Sequence, residues 1–233
     1  MKNIVIIGAS GHGGMLLDCI EKEGRYNVLG FVDSFKEKGS KMNGYEILGN
    51  EEAMPQLIDK FNIQGAILAI GNNWTRKNVA KKISAIVPNL DFVSTIHPSA
   101  TVGKGVKIGK GSAILPGAII NANSTVGAFC ILNTNSSLGH DGVMDDFSSI
   151  ASGVCTGGDL KLGRFSAISL GANIIEKITI GEHSIIGAGA LVVKNVGSHS
   201  VVYGSPARFV RRRSIGDPYL SGDVTDEQNL FAI

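Results

Sequence analysis

Apolar residues in this chain keep two different rhythms. From Ile96 onward every sixth residue is apolar: Val102, Ile108, Ile114, Ile120, Val126, Leu132, Leu138, Met144, Ile150, then Leu162, Ile168, Ile174, Ile180, Ile186 and Val192. Seventeen positions hold this phase without an insertion, and Thr156 alone is not Ile, Leu, Val or Met. Four residues after each comes a second set, small or apolar, from Ala100, Val106, Ser112, Ala118, Ser124 and Cys130 on to Val196. One residue after each, glycine recurs, at Gly103, Gly109, Gly127, Gly139, Gly163, Gly181 and Gly187. A half-buried strand alternates with period two and a helix with 3.6, and neither stays in phase for so long. A six-residue unit of strand plus corner does, with its apolar residue inward, small residues in the corner and glycine relieving the backbone there. Three such units close an 18-residue triangular coil, so seventeen units predict nearly six coils of a parallel β-helix over residues 96–200.

Residues 1–95 read differently. Asn3–Ile7 is an apolar run ending in Gly8-Ala9-Ser10-Gly11-His12-Gly13-Gly14, and Met15, Leu16, Leu17 and Ile20 continue at helical spacing. A second run, Asn27–Val32, ends at Asp33-Ser34; Met54, Leu57, Ile58 and Phe61 predict a helix. Gln64–Ile70 reads as a strand ending in Gly71-Asn72-Asn73, Asn78–Ile86 as a helix, and Asp91–Ile96 leads into the first coil. Strand, glycine turn, helix, strand and acid make half of a doubly wound, Rossmann-like α/β sheet. A solenoid needs both ends covered. The α/β domain can cap one end, and residues 201–233 form a cap and tail at the other.

Glycines after a first strand let backbone approach a phosphate at a helix N-terminus. The spacing here is G-x-x-G-x-G, not G-x-G-x-x-G, and the domain is short for a complete dinucleotide fold. A mononucleotide or nucleotide-sugar site fits better, with a plain tight turn as the other reading. The candidates are Ser10, Gly11, His12 and Gly13 in the loop, Asp33 and Ser34 after the second strand, and Gly71 and Asn72 at the same carboxyl edge. Asp33 is placed to accept bonds from a base or ribose, or to be a simple loop acid.

Composition narrows the partners. Lys+Arg 22 against Asp+Glu 20 gives a net charge of only +2, which argues against nucleic acid or an anionic membrane surface. Glycine, 31 of 233 residues, is about twice its usual ~7% share, while only 6 prolines exclude a collagen-like chain. The N-terminal apolar run is too short for a signal peptide or a membrane span. Cys19, Cys130 and Cys155 form no C-x-x-C pair, so neither a disulfide framework nor a zinc knuckle is expected, and a reduced cytoplasmic setting is the default.

Of five histidines, His97 and His199 sit at the entrance and exit of the repeat and are expected to be structural, and His183 to be a solvated turn residue. His12 belongs to the glycine loop. His140 lies in Leu138-Gly139-His140-Asp141-Gly142, where the neighbouring carboxylate raises imidazole basicity and holds one tautomer, as a general base requires. One coil on, residue 158 stacks over it at about the 4.8 Å strand spacing. That residue is glycine, whose bare N–H can stabilise an oxyanion or whose smallness simply relaxes the corner. No second histidine lies 18 residues from any other, so no metal is expected.

The motifs IVIIGASGHGG, VDS, AIGNN, ILNTNSSLGHD and VVYGSPAR together resemble the bacterial sialic-acid O-acetyltransferase and nucleotide-sugar N-acetyltransferase family, over residues 1 to about 210. The resemblance implies a left-handed β-helix, a homotrimer, and acetyl-CoA held in the groove between neighbouring β-helices. It makes His140 the general base, with Asp141 where relatives carry Glu, puts Asn133 near the reacting groups, and has Gly158 donate its N–H to the thioester carbonyl. It assigns Gly11, His12, Gly13, Asp33, Ser34 and Gly71 to the nucleotide-sugar, and Ser149, Leu170 and Ala188 to acetyl-CoA. Ser34 stands where a relative has a second Asp, and Ser149 where some have His. Residues 214–233 match nothing in the family. Arg208, Arg211, Arg212 and Arg213 suit either CoA phosphates or a solvated basic turn.

The expected activity is acetyl transfer to the amine of a UDP-, GDP- or dTDP-linked 4-amino-4,6-dideoxy sugar in surface-glycan synthesis. O-acetylation of a sialic acid is the alternative within the class. A non-catalytic β-helix with a nucleotide-sensing cap is the alternative outside it. A pyrophosphorylase would need a larger basic NTP loop, and NAD chemistry a different glycine spacing.

Overall fold

A computed structural model describes residues 1–220; the rest of the expected tail, residues 221–233, lies outside the described residues. The first part is a sheet in which β1 (Lys2–Ile7) lies between β2 (Tyr26–Val32) and β5 (Gly65–Leu68). β4 (Tyr45–Gly49) and β6 (Asp91–Phe92) extend it in parallel, and β3 (Lys41–Met42) closes one edge antiparallel. Ile4, Val5 and Ile6 are wholly buried, which is why β1 reads as a continuous apolar run rather than an alternating one. Helices α1 (Gly11–Glu23), α2 (Met54–Phe61) and α3 (Asn73–Ile86) pack around it. The structure starts α3 five residues before the predicted Asn78. The Asn72 side-chain oxygen accepts from the Thr75 N–H at 3.0 Å, a cap hidden in a polar stretch whose buried members are Asn73 and Arg76.

Seventeen two-residue strands follow, one per hexad, from β7 (Thr95–Ile96) to β23 (Leu191–Val192). They form three faces of a prism. The first runs β7, β10 (Ala113–Ile114), β13 (Ile131–Leu132), β16 (Ser149–Ile150), β19 (Ala167–Ile168) and β22 (Ile185–Ile186), the second β8 (Thr101–Val102) to β23, and the third β9 (Lys107–Ile108) to β21 (Thr179–Ile180), each in steps of three. Ala113 pairs with Ile131 and Ile131 with Ser149, so each coil is 18 residues. From Ile114 on the every-sixth apolar side chains fill the interior, and Ile96 and Ile108 pack against them partly buried; Val102, in the first coil, is exposed. Thr156, the exception, turns its hydroxyl to backbone: it accepts from Gly139 N–H at 3.0 Å and donates to Ser137 O at 3.2 Å. β24 (Ser200–Gly204) continues the first face and pairs antiparallel with β25 (Ala207–Arg212).

The corner chemistry differs from the expected one. The glycines directly after the apolar position do not take left-handed backbone; that conformation falls two residues later, at Gly105, Gly111 and Gly117, then Asn123, Phe129, Asn135, Asp141, Phe147 and onward. The earlier glycines are needed because coils approach closely. A methyl on Gly139 would stand 2.6 Å from the Gly158 nitrogen and closer still to Gly157 O.

One left-handed column carries rings. Phe129 and Phe147 stack at 4.7 Å, Phe147 and Phe165 at 5.7 Å, Phe165 and His183 at 4.7 Å, and His183 and His199 at 5.0 Å. His183 is only 5% exposed, so the expectation of a solvated turn residue is corrected: it is a rung of this stack, with Trp74 of α3 against it. His199 ends the stack, a structural role as expected. The α/β domain docks on this edge through Arg76, which is 1% exposed. Its guanidinium donates to the carbonyls of Phe129 (2.9 Å), Ile70 (2.7 Å) and Gly71 (2.9 Å) and to Asn73 Oδ1 (2.6 Å). Asn73 in turn donates to Ser166 O at 3.0 Å.

Candidate active site

The 18-residue register brings the chemistry at His140 together from three coils. His140 and Asp141 form the corner between β14 (Ser137–Leu138) and β15 (Val143–Met144). Asp141 takes left-handed backbone (φ 56), which turns its carboxylate back along the corner to His140 Nδ1, 2.8 Å away. An Nδ1–H given to the carboxylate leaves the Nε2 lone pair free to take a proton. The bond from His140, and then the polar Asn123 side chain a coil below, hold the Asp141 carboxyl below its ordinary range. Asp141 is therefore ionised throughout the neutral range.

A coil above, Gly158 faces the imidazole so closely that a methyl there would lie 2.5 Å from Cε1 and 3.0 Å from Cδ2. Asp159 N–H donates to His140 O at 2.9 Å, which fixes this stacking. His140 is 63% exposed, open to a substrate or a neighbouring chain.

The glycine loop is held from behind. Asp33 accepts from Ala9 N–H (2.7 Å), Phe35 N–H (2.7 Å) and Lys36 N–H (3.1 Å), so much of its carboxylate ties the loop to the end of β2. Ser34 turns its hydroxyl to the buried Glu51 carboxylate. Ser10 and Gly11 border a hollow of about 420 Å³ with Lys36 and Lys41, and Asp33 and Ser34 border another of about 310 Å³ with Lys36 and Lys38. Among the described residues these three lysines have no carboxylate partner. They went unnoticed in the sequence, although the signal, Lys36-Glu37-Lys38-Gly39-Ser40-Lys41, directly follows Asp33-Ser34-Phe35. Gly13 packs on Gly8 O, where a side chain has no room. Asn72 uses its side-chain oxygen as the α3 cap.

A cleft of about 570 Å³ joins the two parts of the chain. His12, Met15 and Gly71 form one wall, and Asn133, Ser149, Leu170 and Ala188 the other. Residues expected at a nucleotide-sugar and residues expected at acetyl-CoA thus share one space. Burial first, and the Arg76 charge second, push His12 down to about 4, so its ring is neutral. Its Nε2 is enclosed without a hydrogen-bond partner among the described residues. Asn133 lies on the corner between β13 (Ile131–Leu132) and β14, one prism edge away from His140. Within one chain the structure does not bring Asn133 and His140 together. Burial raises the Cys19 and Cys130 thiols to about 11, which leaves them unreactive. Among the described residues no group of three His, Cys, Asp or Glu side chains is set to hold a metal, and no helix is long and apolar enough to cross a membrane.

Residues 3–83 match the family described as the PglD N-terminal domain, and residues 99–134 match the bacterial transferase hexapeptide (six repeats). GDP-perosamine N-acetyltransferase from Escherichia coli O157:H7 is 30% identical over 219 residues, 89% of this chain and 96% of the relative. The chain belongs to the PglD-like hexapeptide-repeat acetyltransferases. Among solved structures of this family, PerB from Caulobacter crescentus in complex with CoA and GDP-perosamine superposes with a TM-score of 0.84 at 28% identity, covering 91% of this chain and 98% of that one. The acetyltransferase domain of PglB from Neisseria gonorrhoeae with acetyl coenzyme A gives 0.80 at 28% identity, covering 90% and 99%. This PglD-like acetyltransferase thus shares the whole two-part architecture of relatives solved with a sugar nucleotide or an acetyl donor.

Proposed function

We propose that the chain transfers the acetyl group of acetyl-CoA to the amine of a nucleotide-linked 4-amino-4,6-dideoxy sugar, in surface-glycan synthesis in the cytoplasm. Residues 1–95 bind the nucleotide-sugar, 96–200 carry out the transfer, and 201–233 are the C-terminal cap and tail. The carrying observation is the Asp141–His140 pair set over Gly158 on an open corner.

In the ternary complex the amine attacks the thioester carbon, forming the C–N bond. The C–S bond breaks, and the CoA thiolate leaves. His140 Nε2 takes the ammonium proton as the bond forms and then supplies it to the thiolate. Gly158 N–H meets the carbonyl oxygen as charge gathers on it; its neighbours Gly157 N–H and Asp159 N–H are bonded to Ile174 O and His140 O. Alignment of two substrates supplies much of the rate.

Lys36, Lys38 and Lys41 suit the diphosphate beside Ser10, Gly11, His12 and Gly13; Asp33, Ser34, Gly71 and Asn72 line that edge. Ser149, Leu170 and Ala188 take acetyl-CoA, and Asn133 orients the reacting groups. Because His140 stands one prism edge from the cleft, the reading places His140 of one chain over the cleft of another, in a homotrimer.

The test is thiol release from acetyl-CoA across UDP-, GDP- and dTDP-linked 4-amino-4,6-dideoxy sugars, beside free sialic acid. Turnover on one amino sugar, lost in His140→Asn, is expected. Turnover on sialic acid alone overturns the acceptor assignment, and full turnover by His140→Asn overturns the mechanism.

A further inference from the structure

Beyond the last hexad, the chain turns back along the first face of the prism. Arg213, 7% exposed, donates to the carbonyls of His183 (3.4 Å) and Asp217, and its guanidinium sits 5.4 Å from the centre of the Tyr219 ring. Asp217 Oδ2 accepts from Ser214 N–H at 2.8 Å. Tyr219 packs on Ala167, Ile185 and Val201, and its hydroxyl accepts from Asn73 N–H at 3.0 Å. The strap 214–220 is thus pinned to both halves of the molecule.

What the strap presents is Leu220. This side chain is 60% exposed, yet it lines the cleft, with Cδ1 3.1 Å from where a Gly71 methyl would stand. Met15, 40% exposed, lines the same cleft from α1. A single exposed leucine needs no explanation. Two apolar side chains held at the α/β-domain side of one cleft, beside the glycine loop and Gly71, form a surface suited to an apolar ligand group. Leu170, also 60% exposed, faces them from the β-helix wall, where the donor is placed.

We infer that the strap is a wall of the acceptor pocket and that Leu220 is a specificity-determining residue, set against the 6-methyl group of the acceptor sugar. The inference rests on the proposed acetyl transfer. A methyl in contact with Leu220 and Met15 is favoured over a hydroxymethyl, whose hydroxyl gains no partner from either side chain.

The test compares kcat/KM for a nucleotide-linked 4-amino-4,6-dideoxyhexose with that for its 6-hydroxy counterpart. Two proteins are compared, the full chain and Leu220→Ser. The full chain is expected to favour the 6-deoxy acceptor by about 10–100-fold, the scale of one small group in an apolar pocket. In Leu220→Ser that preference should be lost, with the KM for acetyl-CoA unmoved. The side chain is already exposed, so the substitution leaves the fold in place. An unchanged ratio in Leu220→Ser, or a change confined to the acetyl-CoA KM, overturns the assignment. No turnover by the full chain on either amino sugar overturns the acetyl-transfer reading, and this one with it.

Discussion

Replacing Gly158 by alanine tests whether His140 must stand where the coil register puts it. The added methyl falls 2.5 Å from His140 Cε1 and 3.0 Å from Cδ2, and nearer still to Nε2. Ring and methyl cannot both keep their places. The ring is 63% exposed and free to rotate, so the side chain gives way and the coil does not. Gly158 is not in left-handed backbone, and alanine costs nothing on that account. The inter-coil bonds Asp159 N–H to His140 O and Lys177 N–H to Gly158 O, both 2.9 Å, are kept.

Stability should therefore change by less than about 1 kcal/mol, as for an ordinary surface substitution. The displaced ring loses both its Asp141 bond and its approach to the amine. We expect kcat to fall by about 10²–10³, within the range for loss of a general base. Gly139→Ala provides the contrast. Its methyl meets Gly158 N at 2.6 Å and Gly157 O, both backbone, so the fold itself must yield. Thermal melts and thiol-release rates on the two variants separate the cases: Gly158→Ala folded and slow, Gly139→Ala destabilised. A Gly158→Ala enzyme with unchanged melting and kcat within threefold of the parent would refute the reasoning.

Asp141→Asn removes the charge that orients His140, and a pH–rate profile should show kcat lower by about 10–100-fold at every pH, the worth of a hydrogen bond to a charged group. Arg76→Ala strands the carbonyls of Phe129, Ile70 and Gly71 at the junction; urea unfolding should register a loss of at least about 1–3 kcal/mol, the cost of leaving a buried hydrogen-bonding group without its partner. His12 binds a proton near 6.5 when unfolded and near 4 when folded, so the unfolded state holds more protons between those values and stability falls as pH drops through them. At about 1.4 kcal/mol per pH unit the loss approaches ~3 kcal/mol, and His12→Gln should flatten the stability curve over that window. His183→Phe extends the ring stack with the residue type already found in left-handed backbone at Phe129, Phe147 and Phe165. Since burial first, and the His199 charge next, hold His183 below 6.5, the gain in melting temperature should be largest at acid pH.

The prism was legible because its core obeys a strict period: every sixth residue from Ile96 to Val192 lies in one of its two-residue strands, as the spacing predicts. The corners were less so. Glycine marks two unlike needs there, close approach at Gly139 and left-handed backbone at Gly117, and composition alone does not separate them. Asn, Asp, Phe, Lys and His share the left-handed position with glycine, so it shows no residue-type signature. The start of α3 was missed because its buried face is Asn73 and Arg76, polar residues satisfied by the facing coil rather than by their own helix. His183 was misjudged for the same reason: its neighbours in sequence, Gly181 and Glu182, suggest a solvated turn, and only its neighbours in space, Phe165 and His199, show the stack.

The corner at His140 shows why the 18-residue register matters more here than local sequence. His140 and Asp141 adjoin in the chain, but what makes them useful lies a coil away on either side. Asn123, below, helps to hold the Asp141 carboxyl ionised, and Gly158, above, leaves the imidazole its place. Read along the chain, His-Asp is an ordinary surface dipeptide. Folded at intervals of 18, it becomes a column in which each member fixes the next: Asn123 to Asp141, Asp141 to His140, His140 under Gly158. A period that keeps its phase for seventeen hexads can align such a column because every coil repeats the same rise, and one inserted residue between Asn123 and Gly158 would break it. The same rigidity keeps His140 one edge away from the cleft. No local side-chain motion brings the two together in one chain, and a site that uses both is most directly completed by a second copy.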